Sequence, residues 1–564
     1  MNAFSNDLDL SDAGRTRGRR RTGRSFGLPP GRVWAGALAS LVLGACGGGG
    51  GGGGGDAAPT GAAVAPAATT APSATQSLGG VATYDHVPTN QGGALDYAAV
   101  TPRPIRGATV DIVGANDAVL ATTRTDANGA YGVVVPRGTS VRVRVKAELS
   151  QPTGGTTFNV SVRDNTQGGA LYAIETPAFE VDAGTAVRNV TAPSGWTGTA
   201  YGAPRAAAPF AILDTIYTTQ AKVQAVAGPT VFPPLRVFWS VSNRAAAGDV
   251  AVGDISSTAF VGSASGGVGA TIYVVGRENV DTDEYDASVI AHEWGHYYQS
   301  AFSRDDSPGG PHALNNLLDR RVAFSEGWGN AWSGIALERA DYTDSYGPAQ
   351  ARGVQIVLGN GAAAGAGWYR EDSVQSIFWH LNRQVGFKPI HDAFTGPFRR
   401  GAAVTSIHAF AAAFGAAAPA SAPVLAGLLG GQAIASSTSD PFGTSEANNG
   451  GVAMALPLYR SVAPGATTRV CVDYQAGTTN RLGNYAYLRF TAPTARAYTI
   501  AVSGGAGTDP ELAVWGNGAG LVAQARAVGT SETLTATLPA GDAVIAVHDY
   551  NNTTASPCFN VSIQ

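Results

Sequence analysis

Two histidines and a glutamate lie close together in the segment His292-Glu293-Trp294-Gly295-His296. On a helix, His292 and His296 stand about 6 Å apart along the axis and share one face, so both imidazoles can bind one metal ion. Glu293 lies on the neighbouring face, where its carboxylate reaches a metal-bound water rather than the metal. The motif therefore predicts a Zn²⁺ hydrolase whose general base is already in place. The alternative is a structural helix in which the two histidines are simply packed.

The motif supplies two ligands, whereas a catalytic zinc usually has three protein ligands and one open position. Glu326 is the best candidate for the third ligand. It precedes an apolar segment, 327–337, and a lone carboxylate in such surroundings needs a partner. The alternative for Glu326 is an interaction with the positive end of a helix dipole. Weaker candidates for the third ligand lie in the intervening loop: Asp305, Asp306, His312 and Asp319.

The residues around the motif predict the elements that position it. Residues 271–275 are apolar, β-branched or aromatic and predict a strand. An acidic loop, 281–286, follows, and Asp283 or Asp286 is placed to cap the next helix. Residues 287–302 predict a largely buried helix that carries the motif.

The combination of His-Glu-x-x-His with a later glutamate on a second helix resembles the gluzincin metallopeptidases and, within them, the fungalysin family. The matching segments are Asp286, Val289 to His296, Gly309-Gly310-Pro311 and Glu326-Gly327-Trp328. The resemblance implies zinc bound by His292, His296 and Glu326, with Glu293 as general base. It also implies that the substrates are proteins or peptides and, by analogy, that the enzyme is an endopeptidase.

The sequence departs from the gluzincin pattern four residues after Glu326. Many gluzincins carry an aspartate there, which accepts a hydrogen bond from a zinc-binding histidine. This chain has Asn330, whose amide oxygen still accepts that bond but adds no negative charge. We therefore expect a less basic histidine ligand. A propeptide like that of fungalysins is not evident in the sequence either.

The resemblance also implies a tyrosine or histidine that donates a hydrogen bond to the reacting carbonyl oxygen. The sequence leaves this residue open among His380, His312, Tyr297, Tyr298 and Tyr369. For each of them, a role in core packing is the alternative. The strand around Tyr273 is a candidate edge for pairing with a substrate backbone.

The first 46 residues predict a lipoprotein signal peptide. A basic stretch, 15–24, precedes the apolar run 33–45, which is too short to cross a membrane as a mature helix. The run ends in Leu43-Gly44-Ala45-Cys46, which resembles a bacterial lipobox and implies lipidation of Cys46. Ordinary secretion with a stray cysteine is the alternative. We expect an extracytoplasmic lipoprotein of the outer membrane or cell surface, and release from that surface stays open.

The remaining cysteines form an even pair, Cys471 and Cys558. Because the chain is expected in an oxidising compartment, we predict a disulfide between them. Two buried free thiols are the alternative.

Composition and turn signals divide the chain into further regions. A Gly/Ala/Pro-rich linker covers 47–80. Residues 81–196 resemble a carboxypeptidase regulatory-like, or prealbumin-like, β-sandwich. The zinc metallopeptidase domain covers 197–440, and 456–564 resemble the bacterial pre-peptidase C-terminal domain. The expected fold is therefore a zincin-like α+β catalytic domain flanked by N- and C-terminal β-sandwiches.

Charge limits the partners that the chain can have. The formal net charge is −4, so nothing indicates binding to nucleic acid, and membrane association is expected only through the lipid anchor. The oligomeric state has no signal in the sequence. The rival to a secreted or surface-anchored zinc metallopeptidase is a surface binding or adhesion protein with a degenerate zincin domain. The intact Glu293 argues against this rival, because a structural zinc site needs no base.

Overall fold

A computed structural model describes residues 74–182, 187–262, 269–474, 479–552 and 556–564. The predicted signal peptide, Cys46 and most of the predicted linker lie outside the described residues. None of the helices within the described ranges is long and apolar enough to cross a membrane.

The first region is rich in strands. They are β1 (Thr75–His86), β2 (Thr101–Pro104), β3 (Ala108–Val113), β4 (Val119–Arg124), β5 (Ala130–Pro136), β6 (Ser140–Gln151), β7 (Phe158–Asp164), β8 (Ala170–Leu171), β9 (Ala173–Glu175), β10 (Phe179–Glu180) and β11 (Val190–Ala192). β1 begins inside the segment expected to be linker, and it pairs in antiparallel fashion with β5 and β2.

The middle region mixes helices and strands. In chain order they are α1 (Ala208–Ala227), β12 (Leu235–Trp239), β13 (Ala259–Val261), β14 (Thr271–Val274), β15 (Gly276–Arg277), β16 (Asp281–Thr282), α2 (Ala287–Phe302), α3 (Arg320–Leu337), β17 (Asp341–Tyr346), β18 (Arg352–Val357), α4 (Glu371–Val385), α5 (Phe387–Ala393), α6 (Ile407–Ala417) and α7 (Ala422–Gly431). The motif helix α2 has the bounds that the sequence predicts.

A large mixed sheet connects the first two regions. Its main strand order is β13-β14-β12-β7-β6-β3-β4. β12 pairs in parallel with β7 on one side and with β14 on the other. The connection between the parallel strands β7 and β12 runs through β8 to β11 and then α1, which lies against the sheet. The sheet is continuous across residue 196, so the strands of 81–196 do not form a sandwich separate from the middle region.

Helices pack against this sheet, and two of its strands are completely buried. All residues of β3 and of β14 are buried. α1 lies against β6 and β7, while α2 lies against β13 and β14. The contact with the sheet therefore fixes the position of α2 and of the two histidines that it carries.

The C-terminal region consists of strands: β19 (Arg460–Ser461), β20 (Thr467–Cys471), β21 (Tyr485–Ala492), β22 (Arg496–Ser503), β23 (Pro510–Gly516), β24 (Gly520–Ala525), β25 (Ser531–Leu538), β26 (Gly541–Asp549) and β27 (Cys558–Ile563). In the described chain they form a pair of sheets, β19-β21-β26-β23-β24 and β20-β27-β22-β25, around a shared apolar core. Cys471 and Cys558 face each other on β20 and β27 and form the predicted disulfide.

The C-terminal strands are joined to the middle region by buried polar contacts. Trp515 donates its indole N–H to Asp306 at 2.9 Å. The Tyr487 hydroxyl donates to Asp319 at 2.7 Å. Trp515 is only 3% exposed, so its ring belongs to this interface. The C-terminal sheets are thus packed onto the region that carries the candidate site.

Candidate metal centre

Helix α2 presents His292 and His296 on one buried face. The packing of Trp294, on the same helix, explains why this face is fixed. Trp294 is fully buried and stacks on Trp332 of α3, with ring centroids 5.5 Å apart. Because this contact packs Trp294 between α2 and the core, rotation of α2 about its axis would break the stacking and move a buried tryptophan. The histidines are thereby directed towards α3.

The structure brings His292, His296 and Glu326 together. The two Nε2 atoms are 2.9 Å apart, and the Glu326 Oε2 lies 3.2 Å from that of His292 and 3.3 Å from that of His296. Ligands about 2.0–2.1 Å from a tetrahedral zinc are separated by about 3.3–3.4 Å. The three donor atoms thus lie close to the corners of one face of such a tetrahedron. Two imidazoles and one carboxylate at these separations fit a zinc ion.

Two glycines allow the helices to approach closely enough for this arrangement. A Cβ on Gly329 would lie 2.7 Å from the His292 ring, and a Cβ on Gly295 would lie 3.3 Å from the Gly329 Cα. Any larger side chain at 329 would therefore displace the histidine. The Trp328 indole N–H donates to the Gly295 carbonyl at 3.0 Å and fastens the helices at the same level.

Glu326 lies inside α3 and not at its start. α3 begins at Arg320, which is earlier than the apolar segment 327–337 predicts. The Asp319 carboxylate accepts from the Arg321 backbone N–H and caps the helix. Glu326 is therefore beyond the first turn, where the helix dipole acts on charge, so the dipole alternative for this residue does not apply.

Asn330 contacts the first histidine as the sequence predicts. Its Oδ1 accepts a hydrogen bond from His292 Nδ1 at 2.9 Å. This bond places the His292 proton on Nδ1 and leaves Nε2 free to bind a metal. The ring of Tyr342 meets the same imidazole edge-on, with centroids 6.1 Å apart. Together they fix the orientation of His292.

His296 is oriented by a serine and an aspartate. Its Nδ1 lies 3.1 Å from the Ser325 Oγ, which in turn donates to Asp305 Oδ2 at 3.3 Å. Asp305 therefore supports a histidine through Ser325 and is not a ligand itself. The Ser325 hydroxyl is therefore the hydrogen-bond partner of His296 Nδ1, and this contact orients the ring so that Nε2 faces Glu326.

Glu293 faces the edge strand of the large sheet. Its Oε2 accepts from the Phe260 backbone N–H of β13 at 2.7 Å. Within the described residues, β13 pairs only with β14 and forms the outer strand of the sheet. The expectation that the strand around Tyr273 is the edge is thus wrong, because β13 covers it. Glu293 therefore lies beside the true edge.

His312 also reaches the centre. Its Nε2 is 3.4 Å from Glu326 Oε2, and its Nδ1 is 2.8 Å from Glu371 Oε2. Among the described residues, the group of donors within 4.8 Å of one another contains His292, His296 and Glu326 but not His312. His312 therefore adjoins the three donors from outside.

The loop that carries His312 is held by the C-terminal region. The Asn480 side-chain amide donates to the carbonyls of Gly309 at 3.1 Å and Pro311 at 3.0 Å. Gly310 between them has a φ of +97°, a conformation that other residues rarely adopt. Asn480 therefore positions His312 through the loop backbone.

The other candidates have partners elsewhere. Asp306 accepts from the Thr405 backbone N–H and from Trp515, and Asp319 caps α3. The groups proposed as carbonyl donors other than His312 bond distant acceptors: His380 to Gly359 O, Tyr297 to Pro233 O, Tyr298 to His391 Nδ1 and Tyr369 to Asn448 Oδ1. The three tyrosines are buried in the core and His380 is partly buried. Of this set, His312 lies at the centre.

The cap expected for α2 is different in the structure. Asp286 occupies the N-cap position but makes no side-chain cap. Its Oδ2 accepts instead from the backbone N–H and the hydroxyl of Ser345, at 3.2 and 2.6 Å. Asp283 bonds the Thr258 hydroxyl and does not cap the helix either. Both carboxylates thus point away from the motif helix.

The Glu326 carboxylate changes the titration of His296. Burial lowers the pKa of His296, but the Glu326 carboxylate outweighs burial and raises it to about 9. Burial raises the pKa of the Glu326 carboxyl. His312 and His296 together outweigh burial and hold this pKa well below the usual range. Without a metal, His296 therefore carries a proton at neutral pH, while Glu326 is ionised.

The comparisons with known proteins yield only distant similarities. No protein-family model matches the chain, and no curated protein does. Among solved structures, the pre-peptidase C-terminal domain of a collagenase from Bacillus anthracis has a TM-score of 0.16 and 14% identity, covering 19% of this chain and 94% of that chain. The surface-associated copper-binding protein CorA of Methylomicrobium album BG8 has a TM-score of 0.16 and 9% identity, covering 19% and 96%.

A third solved structure is PliG of Aeromonas hydrophila, a periplasmic inhibitor of g-type lysozyme. It has a TM-score of 0.14 and 14% identity, covering 19% of this chain and 96% of that chain. TM-scores this low establish neither a shared overall fold nor a shared activity.

Sequence reasoning missed Ser325, Phe260, Glu371 and Tyr342. Ser325 directly precedes Glu326 in the sequence, so its position next to a predicted ligand could have identified it. Phe260, Glu371 and Tyr342 lie on other elements, and only tertiary packing brings them to the centre.

Replacing Asn330 with aspartate should raise zinc affinity about tenfold, because a carboxylate makes the hydrogen-bonded imidazole of His292 a stronger ligand. Competitive chelator titrations of wild type, Asn330→Asp and Asn330→Ala at one pH provide the measurement. Asn330→Ala removes the acceptor and should bind zinc more weakly than wild type. Equal affinities in all three proteins would show that this hydrogen bond has no effect on the metal.

Zinc affinity should depend on pH through His296. Below about pH 9, metal binding must displace its proton, so affinity should fall about tenfold per pH unit. Titrations from pH 6.5 to 9.5, corrected for protonation of the chelator, measure this slope. In Glu326→Gln, which lacks the carboxylate that raises the pKa of His296, the slope should level off at lower pH. A flat profile in wild type would contradict the expectation.

Proposed function

We propose that the protein is a zinc-dependent metallopeptidase that hydrolyses peptide bonds in protein or peptide substrates. The observation that carries the proposal is the group formed by His292, His296 and Glu326, with Glu293 on the same helix beside it. A structural zinc site would use a fourth protein ligand and would have no need of the neighbouring carboxylate. The resemblance to gluzincins points to the same activity.

Zinc, when bound by these three side chains, supplies the Lewis acidity that makes a water molecule and a carbonyl group reactive. The Glu293 carboxylate then has two tasks. It accepts the proton of the attacking water, and it passes that proton to the amide nitrogen that leaves. Glu293 is buried, at 8% exposure, and its Oε2 is held by Phe260, so it is fixed before a substrate binds.

Strand β13 supports recognition of an extended peptide. Its Phe260 N–H points away from β14 and towards Glu293, so the unpaired edge of the strand faces the base. A substrate backbone that pairs with this edge would pass next to Glu293. Such binding uses main-chain groups that every peptide has, which favours an endopeptidase acting within a chain.

We assign His312 the role of hydrogen-bond donor to the carbonyl oxygen as it gains negative charge. The Glu371 carboxylate accepts from Nδ1 and favours the positively charged imidazole. The other nitrogen, Nε2, is then a donor directed at the centre, at 3.4 Å from Glu326. A fixed donor of this kind stabilises the transition state more than the ground state.

The location that we propose rests on the sequence alone. Leu43-Gly44-Ala45-Cys46 resembles a lipobox, so Cys46 would carry the lipid that holds the enzyme at an extracytoplasmic membrane surface. The disulfide between Cys471 and Cys558 accords with an oxidising compartment.

Glu293→Gln should retain zinc and reduce activity by about 10²–10⁴-fold, because it removes the proton acceptor without changing side-chain shape. Casein hydrolysis and zinc content are measured together. Glu338→Gln is the control, because it makes the same change at an exposed carboxylate that pairs with Lys222. It should leave casein hydrolysis and zinc content unchanged. Near wild-type hydrolysis by Glu293→Gln, or hydrolysis that survives full chelation of the metal in wild type, would refute the proposal.

His312→Gln should lower kcat by about 10²–10³-fold, the usual cost of losing one such donor, while zinc content stays the same. His380→Gln is the matched control, since His380 only bonds the Gly359 carbonyl. Loss of zinc from His312→Gln would identify the residue as a ligand. An unchanged kcat would exclude it from catalysis.

A further inference from the structure

A second group of carboxylates lies between the motif helix and the neighbouring small sheet. Asp281, Asp283 and Asp344 each place a carboxylate oxygen within 4.8 Å of the other two. Asp281 is on β16 and Asp344 on β17, and these strands pair through Asp281 and Tyr346. The fold thus holds three acidic groups together at the end of a β-ladder.

The described residues supply no compensating positive charge to this group. In the described part of the chain, no arginine, lysine or histidine forms an ion pair with Asp281, Asp283 or Asp344. Burial and the adjacent Asp344 carboxylate raise the pKa of Asp281 to about 8. Carboxylates assembled in this way are unfavourable unless a proton or a cation neutralises them.

Besides the clustering, buried carboxylate oxygens without a hydrogen-bond partner are a second indication of a bound ligand. Asp283 is 4% exposed; one of its oxygens accepts from the Thr258 hydroxyl, and Oδ1 has no hydrogen-bond partner among the described residues. Asp281 Oδ1 is likewise buried without a partner. The fully buried Asp286 next to them bonds Ser345 through Oδ2 and leaves Oδ1 unpartnered. Native proteins rarely leave such buried acceptors unsatisfied.

We propose that Asp281, Asp283 and Asp344 bind a calcium ion. Two oxygens bound to one Ca²⁺ at about 2.4 Å are at most about 4.8 Å apart, and the three carboxylates meet this limit. The group offers only oxygen, which suits a hard cation and not zinc. Asp281 and Asp344 are partly exposed, so an ion can reach the site from solvent.

The calcium site would steady the edge strand at the metal centre. Asp283 holds the Thr258 hydroxyl, and the Thr258 Oγ1 accepts from the Val275 backbone N–H at 2.9 Å. Thr258 directly precedes β13, whose Phe260 N–H holds Glu293. A cation that fixes Asp283 therefore also fixes the start of β13.

Calcium binding is tested without any assay of hydrolysis, so its outcome is separate from that of the proposed peptidase activity. The protein is stripped of metals, and one portion is reloaded with one equivalent of zinc. Both portions are titrated calorimetrically with CaCl₂ and melted with and without it. We expect one Ca²⁺ per chain in both portions, and a melting temperature that rises with calcium concentration.

Asp344→Asn and Asp281→Asn should each lose calcium binding and the calcium-dependent rise in melting temperature. Neither variant needs calcium to relieve repulsion, so each should melt at least as high as calcium-free wild type. Asp341→Asn is the control. Asp341 lies on β17, as Asp344 does, but its carboxylate bonds Arg339 and Gln355. This variant should respond to calcium like wild type.

Three results would overturn the proposal. Wild type that binds no Ca²⁺ would mean that protons alone neutralise the carboxylates. Unchanged calcium binding in both cluster variants would place the ion elsewhere. Tighter binding of MgCl₂ than of CaCl₂ would assign the site to the smaller cation.

Discussion

The close contact between α2 and α3 is the constraint on which the metal centre depends. His292 and His296 come from one helix and Glu326 from the other, so their donor atoms meet only if the helix backbones nearly touch. Gly295 and Gly329 permit this approach, and a Cβ at 329 would lie 2.7 Å from the His292 ring. Trp294 of α2 stacks on Trp332 of α3, which also contacts Trp328, and this packing between the helices holds them at their separation.

The same contact supplies the groups that orient the ligands. Asn330 lies one turn after Glu326 on α3 and bonds His292, while Ser325 precedes Glu326 and bonds His296. A single helix therefore provides one ligand and supports the other two. Since zinc affinity follows from the fixed orientation of its ligands as well as from their identity, α3 is the element that most determines the site.

The parts of the site that were predictable from the sequence are those encoded within one helix. The spacing of His292 and His296 and the bounds of α2 follow from local periodicity, and the isolated charge of Glu326 in apolar surroundings marks it as unusual. The environment of Glu293 was not predictable, because β13 is three residues long and its position at the sheet edge depends on pairing with β14. The pairing of β7 with β12 across residue 196 was not predictable either, because a strand pattern does not identify its partner.

The C-terminal sheets contribute to the centre more directly than an accessory domain would. Asn480 holds the loop that carries His312, and Tyr487 and Trp515 bond Asp319 and Asp306 beside it. The geometry of the centre therefore involves Asn480, which lies 169 residues after Pro311 in the chain, as well as the motif itself.

Anomalous diffraction from crystals of the zinc-loaded protein, recorded on both sides of the zinc absorption edge, tests the central claim most directly. The account predicts a strong peak about 2.0–2.1 Å from His292 Nε2, His296 Nε2 and a Glu326 oxygen. No peak at this position, or zinc bound only at another group of side chains, would contradict it.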